Sequence, residues 1–278
     1  MNYPGKRFVG AELALSIHQM WTIPSEICMA AGIEQLEQDL QVLAKAGAAI
    51  AAKALALYRD YLQALGRSVR QQLIQASYHV CIQIYPENFL QLSLSQRQQL
   101  QQDLQQLGKQ VQSTLELARQ HLESAESEPL ATLEELVEAQ EHLEKEIVDA
   151  LHHTSRQVNQ LLQTANILPA TPLDIILEVA AKAEAAGRPV TRSPNLLTAM
   201  VDSENGDEEE IPETAVIAVY LQLGEIEFTD PLVMMHRNQL RDLGQQISRL
   251  QQQTEQKQRE KLIAEAGAAW RSTWQDEP

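Results

Sequence analysis

A chain of 278 residues can bury a sizeable core, and with 44 % apolar residues it is not wholly disordered. Aromatic residues are only 4 % and Leu, Ala, Gln and Glu dominate, which suits long helices better than sheets. The net charge of −16 is localised: residues 121–150 carry −9, residues 202–213 carry −7, and the remainder balances 21 acids against 21 bases. Such a chain is repelled by phosphate backbones and anionic lipid, so nucleic-acid binding is set aside and unassisted binding to anionic membrane nearly so.

Residues 1–24 read as irregular, with aromatic points at Tyr3, Phe8 and Trp21 and no convincing targeting signal. Ser25 and Glu26 mark a helix start. From Ile33 to about Ile84 no proline intervenes, and apolar rungs recur three and four apart: Leu36, Leu40, Leu43, Gly47, Ile50, Ala54, Leu57, Tyr61, Ala64. An uninterrupted helix there is roughly 75 Å long. Gly66 is the expected kink, and Pro86 the stop. The most apolar stretch, Ala44 to Leu57, is alanine-rich and broken by Lys45 and Lys53, short of the ~20 apolar residues of a membrane span.

A second helix starts near Ser93 or Ser95, where Ser95 and Gln98 have capping-box spacing, and Leu100, Leu104, Leu107, Val111 and Leu115 carry its stripe. A third follows Pro129, with Thr132 and Glu135 as a further capping box and Leu136, Leu143, Ile147, Val158 and Leu161 on its apolar face. The short connections imply antiparallel neighbours, so residues 25–168 read as a long three-helix bundle. Residues 169–213 read as a short helix over 172–186, a polar stretch, and a flexible acidic linker at 202–213. Residues 214–228 read as helix, although Val216-Ile217-Ala218-Val219 is β-branched enough for a strand, because a lone hairpin is marginal. Asp230-Pro231 opens the last helix, so 214–278 read as a C-terminal helical region. The fold class expected is all-α: an elongated antiparallel long-helix bundle or coiled coil with a smaller C-terminal helical region.

Chemistry-bearing motifs are sparse. Cys28 and Cys81 form neither a CxxC pair nor a metal cluster, which points to buried thiols in a reducing cytoplasm. GxxxxGK[ST], GxGxxG after a strand, HExxH and GxSxG are all missing, so no catalytic residue is assigned and an enzyme is not expected. At the C-terminal tip Ile263, Trp270 and Trp274 recur on one helical face with Arg271 beside them. Tryptophan and arginine are enriched at binding hot spots, so this face is a candidate partner anchor, the alternative being that it folds back onto the chain's own helices.

On the third helix His142, Glu146, Asp149 and His153 share a face, a donor set that zinc, iron or manganese would accept. A second E-x-x-H on a facing helix, which di-iron bundles require, is missing, so a solvated polar face is the plainer reading and no cofactor is expected. Together these features point to a cytoplasmic scaffold or adaptor that binds protein partners of unknown identity through helix faces, as a homo-oligomer. The alternatives are a peripheral membrane-associated protein, similar in architecture to long-helix hairpin and crescent-dimer families, and a helical-bundle metal-binding protein.

Overall fold

In the computed structural model, residues 26–125, 133–169, 177, 191–201 and 214–274 are described. The regions 1–24 and 202–213, the Thr132 cap and the helix expected over 172–186, apart from Leu177, lie outside them. The described chain is mostly helical.

Helix α1 runs from Glu26 to His79 without a break. The kink expected at Gly66 is not there: the helix continues through it, and a Cβ at this position would meet Gln112 Cγ at 3.4 Å. That is ordinary contact, so neither a bend in the helix nor the approach of its neighbour requires glycine here. The last turn widens into a π-helical segment, Val80–Ile84, closed by Tyr85 N–H donating to Val80 O at 2.9 Å. Pro86 cannot continue that ladder and opens the short α2, Pro86–Gln91. From Gly32 to Ile84 the chain is long and apolar enough, by length and composition, to cross a membrane, which corrects the expectation that it falls short. Helices packed in soluble cores meet the same standard.

Helix α3, Leu94–Ala125, is capped two residues earlier than the Ser95–Gln98 spacing suggested. Ser93 N–H donates to Gln96 Oε1 at 2.8 Å while Gln96 N–H donates to Ser93 Oγ at 3.3 Å, a reciprocal capping box. Helix α4, Leu133–Thr164, ends in a left-handed residue, Asn166 at φ 55°. Ile167 N–H returns to Leu162 O at 2.9 Å and Asn166 N–H to Gln163 O at 2.8 Å. These are the two bonds of a Schellman motif, and both Leu162 and Ile167 are fully buried beneath it.

The main departure from an all-α chain is a three-stranded antiparallel sheet in the order β1-β2-β3: Thr191–Ser193, Leu196–Val201 and Thr214–Val219. Residues 214–219 are thus strand, correcting the helix expected there, and only Leu223–Thr229 (α5) is helical. The physical reason is a partner: the stretch read as merely polar contains β2, which pairs with β3 from Leu196↔Val219 to Val201↔Thr214. Pro194 and Asn195 turn β1 into β2, with Asn195 at φ 57°, a conformation asparagine tolerates.

Among the described residues, side chains rather than a further strand meet the outer edge of β3 at Ile217 and Val219. Asn159 on α4 accepts from Val219 N–H at 2.9 Å and donates to Val219 O at 2.8 Å. Ser155 Oγ accepts from Leu221 N–H at 2.9 Å, and the Tyr85 hydroxyl accepts from Ile217 N–H at 3.2 Å. An exposed edge would template pairing with another chain; here Ile217 and Val219 are already engaged.

The last helix, α6, spans Pro231–Trp274, and Asp230 Oδ1 accepts from Leu232 N–H at 2.9 Å as its cap. The chain divides into two compact units, Gly47–Ile247 and Met1–Ala46 with Ser248–Pro278. In the first, Leu65, Val69 and Leu73 of α1 share one apolar core with Leu107 and Leu115 of α3, Leu151 and Val158 of α4, and Val219. Leu136, Leu243 and Ile247 pack on Ala51 and Ala54 in a smaller cluster. In the second, Lys257 of α6 pairs with Asp39 of α1 at 3.2 Å and Lys261 with Glu37 at 2.8 Å. Rising numbers on one helix meet falling numbers on the other, so the two segments run antiparallel.

Candidate functional site

The residues singled out at the C-terminal tip lie on a helix, and their solvent exposure is the informative quantity. Ile263 is 64 % exposed and Trp270 66 %. Seven residues apart, they share a face, while on the other side Ala264 and Ala268 are half-buried and Lys257 and Lys261 pair with α1. The apolar face of the tip therefore points away from its own seam. Arg271 and Trp274 continue α6, and their side chains lie outside the described residues.

The polar face on α4 is a solvated surface. His142 and Glu146 are exposed, with His142 Nδ1 at 3.6 Å from Glu146 Oε1, and Asp149 and His153 are exposed as well. Among the described residues no group of three or more His, Cys, Asp or Glu side chains is placed to hold a metal ion. The neighbouring His152 is engaged elsewhere: its ring stacks on Tyr220 at 5.6 Å, with Nε2 at 3.1 Å from the Tyr220 hydroxyl.

The constellation that sequence reasoning missed is internal. Arg237 on α6 forks onto Glu144 of α4, Nη1 to Oε1 at 2.6 Å and Nη2 to Oε2 at 3.2 Å. Its Nε lies 3.2 Å from Glu227 Oε1 of α5, an ion pair without hydrogen-bond alignment. From α1, Tyr61 donates to Glu227 at 2.6 Å and Tyr58 to Glu144 at 3.1 Å. One guanidinium, two carboxylates and two phenols thus tie four helices together.

The electrostatics follow from partial burial. Burial, then the neighbouring carboxylates, push both tyrosine hydroxyls well above the ordinary phenol range, so they act as donors. For Glu144 burial works upward, but the hydrogen bonds and charge of Arg237 outweigh it and hold the carboxyl below its usual range. Arg237 moves upward: desolvation opposes its charge and the carboxylates more than restore it. A visible signal existed, because Arg237 sits four residues after Val233 and three before Leu240, in the middle of a buried stripe.

Cys81 is a free thiol, buried, and pushed up to about 11 by desolvation, which makes it a poor nucleophile at neutral pH. Cys28 lies within α1, its side chain outside the described residues. Met234 and Met235, at the start of α6, are exposed. Among proteins of known family, curated proteins and solved structures, none matches this chain.

Proposed function

We propose that this chain is a cytoplasmic scaffold or adaptor: an elongated antiparallel bundle of helices that binds protein partners through helix faces and assembles as a homo-oligomer. The observation that carries the reading is the solvent exposure of two large apolar side chains, Ile263 and Trp270, on one face of α6. Exposed aromatic anchors on a regular helix fit the helix-in-groove mode of recognition. The partly buried Arg237–Glu144–Glu227 constellation fastens the helices within the unit Gly47–Ile247. Light scattering on the purified full chain, with the co-purifying proteins identified, tests the proposal. An oligomer or a stoichiometric partner supports it, and a strict monomer that brings nothing with it contradicts it.

A second reading, a peripheral membrane-associated protein, is favoured by one observation, the apolar length of α1. Flotation with liposomes in the absence of divalent cation separates the two.

A further inference from the structure

The unit Gly47–Ile247 carries a groove outside the internal ion-pair network, floored by the core residues Cys81, Leu100 and Leu104. Its volume is about 390 Å³, within the range of built binding sites. Ile74, Tyr78, Ile82, Phe89, Leu100 and Leu104 line it, between the end of α1 with its π-helical segment, α2 and α3. Tyr78 is 59 % exposed and Ile82 also faces solvent, so two large apolar side chains stand at the mouth. Gln101 and Gln105 form a neutral amide rim. Through Ile74 the groove continues into a shallower depression lined by Arg67, Arg70, Gln71, Gln75 and Gln112.

Charge decides what this surface accepts. The chain has 38 acidic side chains against 22 basic ones, yet among the described residues no Asp or Glu lines either depression. Both arginines are exposed; Arg70 also reaches Gln112 at 3.4 Å. The sign is opposite to that of the rest of the chain. From Arg67 to Ile82 the floor runs ~22 Å along α1, the length of a helix of about fifteen residues.

We infer that this groove docks an amphipathic helix of a partner protein whose apolar face fills the Tyr78–Ile82 end and whose carboxylates reach Arg67 and Arg70. Apolar side chains at i, i+4 and i+7 match the floor, and glutamates at one end match the arginines. The inference rests on the proposal that the chain works by docking helices, and it names the chemistry of one partner. Its surface lies in a different unit from the tip that carries Ile263 and Trp270.

The test uses the full chain and a fluorescent synthetic helix of about fifteen residues with leucines at that spacing and glutamates at one end. A second peptide carries lysines in their place. The glutamate peptide is expected to bind and the lysine peptide not to. Arg67→Glu with Arg70→Glu weakens the glutamate peptide by about tenfold and restores binding of the lysine peptide, a swap that a merely structural role would not produce. Tyr78→Ala weakens binding by about tenfold or more while the melting temperature holds, since this side chain is 59 % exposed. Equal binding of the two peptides, no binding of either, or binding indifferent to Arg67 and Arg70 overturns the inference. Chain truncated after Lys261 binds the peptide unchanged, so failure here is distinct from failure of the tip.

Discussion

Helix α1 lies in two different surroundings, and the contrast between them is instructive. In the unit 47–247 its stripe is sealed: Tyr61, Leu65, Val69 and Leu73 have no exposed surface, because α3, α4 and the sheet share a core with it, and Ala54 has none beneath Leu136, Leu243 and Ile247. In the unit formed by 1–46 with 248–278, the same periodicity continues through Ile33, Leu36, Leu40 and Leu43, and all four stay half-buried. A fully buried Leu contributes about 1.5–3 kcal/mol, so equal patterns yield unequal stabilisation. Identical spacing thus marks a sealed stripe in one region and, among the described residues, a half-buried one in the other. Apolar surface left half-buried in this way is where a second molecule gains most by docking.

The comparison can be broken at the fastener of the closed unit. Arg237→Ala strands Glu144 and Glu227 and is expected to cost about 3 kcal/mol, the low end for a broken buried pair because Glu144 keeps 39 % of its side-chain surface in water. Denaturant titration measures it. Asn159→Ala frees the N–H and C=O of Val219 in a buried setting and is expected to cost about 2 kcal/mol by the same measurement. An unchanged midpoint for either variant would mean that the closed unit is held by its apolar stripes alone.

Two further variants sharpen the contrast. Gly66→Ala places a methyl in ordinary contact with Gln112 and removes the entropic cost of glycine, so stability is expected to rise by about 0.5–1 kcal/mol; a kink would give a loss instead. In the other unit Ile263→Ser changes a side chain that is 64 % exposed, and the melting temperature is expected to stay nearly unchanged.

Acid supplies a related check on the closed unit. Because the folded state holds Glu144 below its ordinary value, its contribution is present above the unfolded carboxylate range and is lost as pH falls through the folded one. The difference in melting temperature between the native chain and Glu144→Gln is therefore expected to shrink on acidification. Tyr58 and Tyr61 behave oppositely, since raised phenols protect below their ordinary value of 10.0 and fail in stronger alkali.

The long helices were legible because a 3.6-residue repeat is a local property, written in every window of α1, α3 and α4. β3 was not, because its strand character depends on β2 and on Asn159, 60 positions before Val219. β-branched residues without a visible partner read equally well as helix. The Tyr61–Glu227 bond spans 166 positions, beyond any local pattern. Of that constellation only Arg237 left a trace, as a charge seated between Val233 and Leu240. The tip was legible as a face, but periodicity alone does not say whether a face is covered.

The most direct measurement compares the full chain with one ending at Lys261 by sedimentation and by thermal melting under the same conditions. The expected result is an assembled full chain, a truncated chain that no longer assembles or retains its partner, and melting curves that coincide. Unchanged assembly, or a large fall in the melting temperature on truncation, would contradict it, because the Ile263–Trp270 face would then belong to the chain's own fold.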